Sequence, residues 1–228
     1  MRVPKPLLED PSKELVIDLE MVVLPYAIEK KQFTFVQIGA YDGTSNDPIR
    51  RLVTALGWTG VMLEPQPELF HRLVESYKGY QGLRFENAAV GNVDGMKTLY
   101  RIRPDAVGVP EWATQLASFD LKTLLHHETW IPNIKQYLEE IPVPSLTIET
   151  LVSRHSLKEI DLLQIDAEGY DAKIIDTIPL SKIRPRFISF EHRHLERSEF
   201  DDCCARLVKH GYKLAVGDVD TYASRMAD

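Results

Sequence analysis

The chain has 228 residues, and its 14 prolines are spread along it, which fits one globular domain. Its net charge of −7 argues against nucleic acid as the main partner, because a phosphate backbone requires a basic face. No apolar run approaches the ~18 residues of a transmembrane helix. The first residues lack the apolar core of a secretory signal, and Cys203 and Cys204 are adjacent, so we expect a cytoplasmic protein with reduced thiols.

Residues 1–32 are predicted to form a helical extension ahead of the core. Residues 1–13 are rich in proline and charge, and we expect an extended lead-in there. Residues 14–30 carry a helical apolar pattern that Pro25 interrupts. This pattern predicts a helix and a short turn that pack over the edge of a sheet, before the core begins at Phe33.

The stretch from Phe33 to Asp47 predicts a strand, a glycine turn and a helix. An apolar run ends abruptly at Gly39, and Gly43 completes the turn. Asp47 is expected to cap the helix, with Pro48 at its first position. This order opens an α/β fold with a doubly wound, mostly parallel, Rossmann-like sheet, in which a nucleotide binds at the carboxyl ends of the strands.

The glycine turn argues against a pyrophosphate coenzyme. A dinucleotide turn needs G-x-G-x-x-G, whereas this chain has G-x-x-x-G with Asp42 inside, and a carboxylate there would repel a phosphate. The next predicted strand, residues 60–63, ends in Glu64, which is placed to accept both hydroxyls of a ribose. The Asp42 carboxylate would suit a ligand that carries an ammonium or another cation. A cationic ligand with a ribose favours S-adenosylmethionine over a dehydrogenase coenzyme. The same residues also fit a tight turn with solvated acids in an unrelated α/β protein.

A long insertion separates the third and fourth core strands. The third strand, residues 83–87, leads into small residues that would let an adenine ring approach, and residues 96–102 predict an added strand. Residues 103–141 then show only a weak helical pattern. A segment this long is a candidate lid or acceptor wall, although a surface excursion without a role is the alternative.

The fourth and fifth core strands end in acids and histidines. Residues 160–166 are predicted as a strand, and Asp171 is expected to cap the helix after it. Residues 186–191 predict the fifth strand, which His192 follows directly. Glu168 is either an acceptor for backbone N–H groups of its own turn or a binding residue.

The C-terminal part predicts a helix and two more strands. Ser198 and Asp201 resemble a capping box at the start of that helix. Residues 212–216 predict a sixth strand, and residues 219–225 an antiparallel edge strand. Since no linker is visible, we expect a single domain over residues 1–228.

Six segments resemble the FkbM-type methyltransferases, which are class I S-adenosylmethionine-dependent O-methyltransferases. They occur in the family's order within residues 33–192: FVQIGAYDGTSNDP, GVMLEPQPELFHRL, ENAAVG, VPSLTIETLV, IDLLQIDAEGYDAKII and PRFISFEH. Two positions depart from the family's pattern. Many members carry an acid where Gln37 stands, which leaves Gln37 to hold the methionine end by neutral hydrogen bonds. Many carry Asn where Tyr41 stands.

The resemblance also implies roles for individual residues in the cofactor site. The methionine end would be shaped by Gly39, Asp42 and Gly43. Glu64 would hold the ribose, Asn87 and Ala88 would border the adenine, and Asp166 would lie near the methyl donor.

Methyl transfer to a hydroxyl needs an in-line approach and a general base. The candidate catalytic residues are His192, Asp166 and Glu191, with His192 first because an unperturbed histidine titrates near neutrality. A loop histidine satisfied by a carboxylate is an equal interpretation of His192. That interpretation is favoured for the remaining histidines near the site: His194, His126 and His127.

No metal is predicted, although a metal-assisted version has candidate ligands. Asp166, Glu191 and His192 could converge on Mg²⁺ or Mn²⁺, since oxygen ligands with one imidazole suit these ions. The main hypothesis is an O-methyltransferase that acts on a hydroxyl of a small molecule, such as a sugar or a polyketide-like natural product. The alternative is a non-catalytic S-adenosylmethionine-binding module that serves as a partner or sensor.

Overall fold

A computed structural model describes residues 17–225. In chain order its strands are β1 Thr34–Ile38, β2 Thr59–Leu63, β3 Leu83–Glu86, β4 Ala89–Val90, β5 Gly95–Ile102, β6 Ala117–Ser118, β7 Leu138–Leu146, β8 Leu162–Ile165, β9 Phe187–Glu191, β10 Lys213–Val216 and β11 Asp220–Ser224. Its α-helices are α1 Leu19–Ala27, α2 Arg50–Leu56, α3 Pro67–Ser76, α4 Leu121–Leu125, α5 Ile148–Arg154, α6 Asp171–Thr177 and α7 Arg197–Lys209. Within this part of the chain, none of the helices has the length and apolar character needed to cross a bilayer.

A seven-stranded sheet with the order β10-β11-β9-β8-β1-β2-β3 forms the centre of the molecule. Its pairs are parallel from β9 to β3, whereas β11 runs antiparallel to both of its neighbours. The prediction of a mostly parallel, Rossmann-like sheet is therefore confirmed. The prediction of an antiparallel edge strand at residues 219–225 is wrong in one respect, because β11 lies between β9 and β10, and β10 forms the edge.

The sheet is covered on both faces, which explains why its inner strands are apolar runs without polar alternation. Val36 and Leu163 lie in one buried cluster, which includes Ile174 of α6. Phe35 and Leu162, one position along the same strands, lie in the cluster on the opposite face. Chain connections on both faces leave the carboxyl ends of β1 and β8, where the strand order reverses, open for a ligand.

A second sheet of four strands, with the order β4-β7-β5-β6, combines the predicted insertion with the strands that flank it. β5 and β7 pair antiparallel along their whole length, from Gly95 opposite Ser145 to Ile102 opposite Leu138. The predicted strand at 96–102 is therefore present, but it pairs outside the main sheet. The segment between these strands has its own buried cluster, formed by Ile102, Ala113, Leu116, Leu124, Ile131 and Ile134.

Arg101 fastens the second sheet to the main domain. Its side chain is buried, and its guanidinium donates to Glu139 of β7 at 2.8 Å and to Glu68 of α3 at 2.9 Å. It also donates to the buried Gln66 at 3.3 Å. These bonds join the second sheet to the loop that follows β2.

The N-terminal helix is shorter than predicted. α1 starts after Asp18, whose carboxylate accepts from the N–H of Met21 at 2.8 Å as an N-cap, and Pro25 lies inside the helix. Val23 is fully buried in the cluster against the sheet. The predicted lead-in at residues 1–13 lies outside the described residues.

Two predicted helix caps are wrong because each helix starts at another residue. α2 begins at Arg50 with Ile49 at the N-cap position, and Asp47 accepts from the N–H of Ile49 at 3.0 Å ahead of the helix. Asp171 is the first residue inside α6 and is fully buried. Both acids are thereby available for contacts outside their helices.

The capping box of α7 is also displaced from its predicted position. α7 begins at Arg197, and the reciprocal bonds join Glu196 and Glu199. The predicted pair was Ser198 with Asp201. Asp201 instead accepts from the guanidinium of Arg197 at 3.0 Å, one helical turn away.

Candidate active site

A pocket opens where the carboxyl ends of the central strands face the insertion. From the main sheet it is lined by Gly39 after β1, Glu64 after β2, Ala88 after β3 and Asp166 after β8. The opposite wall belongs to the insertion and contributes Gln115, Ala117, Ser118 and Phe119. Residues that are far apart in the sequence thus enclose one space.

Gly39 allows the turn after β1 to pass directly against β8. Its φ is +78°, and a Cβ at this position would lie 1.8 Å from the carbonyl oxygen of Asp166. The N–H groups of Gly39 and Ala40 both donate to the carbonyl of Leu63, at 3.0 and 2.9 Å. The turn is therefore fixed between its two neighbouring strands, and no side chain fits at position 39.

Glu64 is buried beneath the same turn. Its carboxylate accepts from the N–H of Tyr41 at 3.0 Å and from the N–H of Gln66 at 2.9 Å. Burial raises the pKa of Glu64 to about 8, and these two N–H groups oppose the rise. Asn87 donates to the carbonyls of Glu64 and Pro65, at 2.8 and 3.1 Å, and so holds the loop that presents the carboxylate.

Asp42 and Gly43 shape the turn from outside the pocket. Asp42 accepts from the N–H and hydroxyl groups of Thr44 and Ser45, at 2.7 to 2.9 Å. Partial burial acts to raise the pKa of Asp42, but these bonds outweigh it and lower the pKa. A Cβ on Gly43 would lie 2.6 Å from the hydroxyl of Ser76, so Gly43 allows α3 to approach. Neither residue is among those that line the pocket.

Three pocket residues hold a backbone conformation that L-residues rarely adopt. The φ values are +50° for Tyr41, +55° for Asn46 and +47° for Glu168. Each such conformation costs about 1–3 kcal/mol and persists only where the surrounding contacts impose it. Concentrated strain of this kind is typical of functional sites. Asn enters this region more readily than Tyr, which agrees with the Asn that the family resemblance implies for position 41.

Acidic side chains gather at the ends of β8 and β9. Asp166 lines the pocket, and desolvation together with the charge of Asp220 raises its pKa to about 6 although its side chain is open to the pocket. Glu168 also lines the pocket, and burial, then Asp166 and Glu191, raise its pKa well above the usual range. Burial and Asp166 raise the pKa of Glu191 to about 8. Burial and mutual repulsion therefore make each of these acids harder to ionise than a free carboxyl group.

Asp171 connects the two acidic loops, a role that its predicted place as a cap did not indicate. Its carboxylate accepts from the N–H of Ala167 and the N–H of Glu191, both at 3.2 Å. Burial raises the pKa of Asp171, as do the charges of Asp166 and Glu191. This acid holds the loop after β8 in register with the end of β9.

The structure pairs Glu191 with His194. His194 Nε2 lies 3.6 Å from Glu191 and 3.7 Å from Glu168. His192 instead places Nδ1 3.0 Å from the hydroxyl of Thr221, with its ring 5.0 Å from that of Phe200. Burial lowers the pKa of both imidazoles, that of His194 to about 4. His192 is not among the residues that line the pocket.

The same geometry changes the candidate set of metal ligands. Within residues 17–225, the ligand atoms of Glu168, Glu191 and His194 lie within 4.8 Å of one another. The predicted set shares only Glu191 with this group. Its other two members, Asp166 and His192, lie elsewhere around the strand ends.

The histidine pair of the insertion separates into one exposed and one buried side chain. His126 is exposed. His127 is buried, and its ring lies 5.7 Å from that of Trp112, 5.9 Å from that of Trp130 and 5.1 Å from that of His194. The insertion therefore packs directly over the loop that follows β9.

Sequence reasoning missed two groups that line the pocket. Phe119 and Tyr170 face it as an edge-to-face pair with ring centroids 5.3 Å apart. Gln164 lines it from within β8, as the register partner of Gln37 in β1. A glutamine inside an otherwise apolar strand was the available sign for Gln164, whereas the aromatic pair depends on the fold of the insertion.

The fold is that of the class I, Rossmann-like methyltransferases. A methyltransferase FkbM from Methylobacillus flagellatus KT has a TM-score of 0.54 at 12% identity, over 85% of this chain and 44% of that one, so this chain spans less than half its length. A METTL16 methyltransferase domain has a TM-score of 0.49 at 12% identity, over 91% of this chain and 66% of that one. A precorrin-6y C5,15-methyltransferase from Geobacter metallireducens GS-15 has a TM-score of 0.46 at 12% identity, over 98% of this chain and 93% of that one.

The family follows from the sequence match. The methyltransferase FkbM domain matches residues 37–214, which is more than half of the chain, so the chain belongs to the FkbM methyltransferase family. The recognition of this family from sequence motifs is confirmed. No curated protein matches the chain. Family membership supports methyl transfer with S-adenosylmethionine as the donor.

Proposed function

We propose that the protein is an O-methyltransferase that transfers a methyl group from S-adenosylmethionine to a hydroxyl of a small molecule. The observation that carries the proposal is the single pocket that joins the strand-end residues Gly39, Glu64 and Asp166 to the insertion wall at Phe119. The cofactor would supply a methyl group on a cationic sulfur, which is a strong electrophile. An acid-lined strand edge favours such a cation electrostatically.

The residues present fit this cofactor. Glu64 keeps free acceptor positions on its carboxylate beside two backbone bonds, as a ribose would require. Ala88, with its small side chain, leaves room in the pocket beyond it for an adenine. Gln37 is buried, and its amide oxygen has no hydrogen-bond partner among the described residues. The last feature favours a polar ligand at the end of β1.

The insertion would provide the acceptor site. Phe119 and Tyr170 give an aromatic surface that can pack on the apolar face of a sugar or a polyketide-like ring. Lys97 lies 3.3 Å from the hydroxyl of Tyr170 and 4.4 Å from the centre of the Phe119 ring, and so supports this surface from behind. A concave pocket and a net charge of −7 favour a small molecule over a nucleic acid. The buried, unpaired thiols of Cys203 and Cys204 fit the proposed cytoplasmic location.

Asp166 is the side chain best placed to take the proton of the acceptor hydroxyl. It lines the pocket, and its pKa of about 6 leaves it mostly ionised, yet still basic, at neutral pH. His192 was the first candidate from sequence, and it remains a prediction, although its Nδ1 is engaged with Thr221. Glu191 would act through its neighbours, since it is not among the residues that line the pocket.

The test is incubation of the protein with methyl-labelled S-adenosylmethionine and panels of sugars, polyketide-like alcohols, amines and RNA. The proposal predicts label in an ether of a hydroxylated small molecule and equimolar S-adenosylhomocysteine. Label transferred only to nitrogen or to RNA would overturn it. Tight cofactor binding without S-adenosylhomocysteine formation for any acceptor would favour the alternative, a binding module that serves as a partner or sensor.

A further inference from the structure

Two buried glutamines lie side by side beneath the pocket. Gln37 in β1 and Gln164 in β8 are register partners in parallel strands, so their side chains leave the sheet on the same face at the same height. They are 2% and 4% exposed, and both line the pocket. Two amides are thus held at the point where the strand order reverses.

The amide oxygens of Gln37 and Gln164 both lack a hydrogen-bond partner among the described residues. Buried polar atoms are nearly always paired in folded proteins, and unpaired acceptors at a pocket floor therefore call for a donor from outside the chain. Two acceptors at one point favour a ligand group with several N–H donors.

Asp47 adds a carboxylate to the same place. It lines the pocket, and its Oδ1 accepts from the amide nitrogen of Gln37 at 3.1 Å. This bond fixes the orientation of the Gln37 amide and leaves the oxygen as the free acceptor. Tyr77 donates its hydroxyl to Oδ2 of Asp47 at 2.7 Å, and Ile49 donates its N–H to Oδ1 at 3.0 Å. All three donors are neutral, so they orient the carboxylate without cancelling its charge.

We propose that Asp47, together with Gln37 and Gln164, binds the α-ammonium group of the cofactor's methionine end. An ammonium has three N–H donors, and this site offers two amide oxygens and one carboxylate. Asp47 thereby supplies the negative charge that was expected of Asp42, which is closed on its own turn. The inference rests on the proposed function, since it deepens the same cofactor site.

The experiment measures, by calorimetry, binding of S-adenosylhomocysteine and of its desamino analogue, which lacks only the ammonium. The parent protein should prefer S-adenosylhomocysteine, and Asp47→Asn should reduce that preference roughly tenfold to a hundredfold, as expected for a lost charge-assisted bond. Glu75→Gln is the charge control, because it removes an exposed acid of α3 that lies outside the pocket and should leave the preference intact. Gln164→Leu removes one of the two amide oxygens, and it should also reduce the preference for S-adenosylhomocysteine over the desamino analogue.

A charge exchange keeps the test independent of folding defects. In the double variant Gln37→Glu with Asp47→Asn the carboxylate moves to the neighbouring side chain, and the preference for the ammonium should return. Equal binding of both nucleosides by the parent protein, or an unchanged preference in Asp47→Asn, would overturn the inference. Failure of the parent protein to bind either nucleoside would instead overturn the proposed function.

Discussion

Gly39 and Asp166 lie so close that a Cβ on the glycine would come within 1.8 Å of the aspartate's carbonyl oxygen. This approach joins the turn after β1 to the end of β8, the two positions between which the pocket opens. Since the obstacle is backbone, it cannot move aside as a flexible side chain would. The closeness of these strands is therefore a condition for the shape of the site.

Gly39→Ala should lower the free energy of unfolding by about 3 kcal/mol or more, since overpacking adds to the strain of a positive φ. Gly57→Ala is the matched control, because Gly57 has a φ of +65° and nothing within 4 Å of an added Cβ. We expect it to cost only about 1–2 kcal/mol. Denaturant unfolding measures both, and equal losses would contradict the proposed contact.

The buried Glu64 should make stability depend on pH. Its pKa is raised from 4.5 to about 8 by burial, so the folded protein holds this proton more tightly than the unfolded chain does. The resulting stabilisation is complete below pH 4.5 and is lost as the pH rises through about 8. Glu64→Gln should therefore flatten the decline of unfolding free energy over this interval. Glu75→Gln, at an exposed position on α3, should leave the slope unchanged, and an unchanged slope in Glu64→Gln would refute the assignment.

Asp166→Asn should lower turnover by about 10²–10⁴-fold if this carboxylate takes the acceptor's proton. Because a base must be deprotonated, the parent rate should rise with pH through an apparent pKa of about 6, and the variant should lose that limb. His192→Ala should retain most of the turnover, since its Nδ1 is engaged with Thr221. Cofactor affinity is measured separately, so that a loss of cofactor binding is distinguished from a loss of the proton-transfer step. If Asp166→Asn kept the turnover of the parent protein, Asp166 would not be the general base. If His192→Ala lost turnover, His192 would take that role.

Exhaustive chelation should leave turnover unchanged, because in this account a carboxylate accepts the proton. The comparison is the double variant Glu168→Gln with His194→Ala, which removes two members of the group whose ligand atoms lie within 4.8 Å. A rate that falls on chelation, returns with Mg²⁺ or Mn²⁺, and is insensitive to chelation in that variant would show that a metal takes part.

Most of the central sheet could be predicted because its strands are buried on both faces. Such strands appear as short apolar runs that end at turn residues, as β1 does at Gly39 and β8 does at Asp166. The helix caps at Asp47 and Asp171 could not, since a cap depends on where the helix starts, and a shift of one or two residues changes the side chain's role. The pairing of β5 with β7 is a contact between distant segments that local patterns do not encode.

The residues of the candidate site were likewise predictable from the sequence only in part. Strand-end residues such as Gly39, Glu64 and Asp166 were identified because a parallel sheet brings its carboxyl ends to one edge. The loop between Gly39 and Asp47 holds two acids, and only its folding decides that Asp42 closes on its own turn while Asp47 faces the pocket. Sequence patterns alone do not distinguish them.

The central claim is that this acidic strand edge binds a cationic sulfur nucleoside, and direct binding of labelled S-adenosylmethionine to the purified, folded protein tests it most directly. We expect saturable binding at one site per chain, which S-adenosylhomocysteine displaces and Glu64→Ala weakens. Absence of binding by the folded protein, or displacement of the label by a dinucleotide coenzyme that occupies the same pocket, would contradict it.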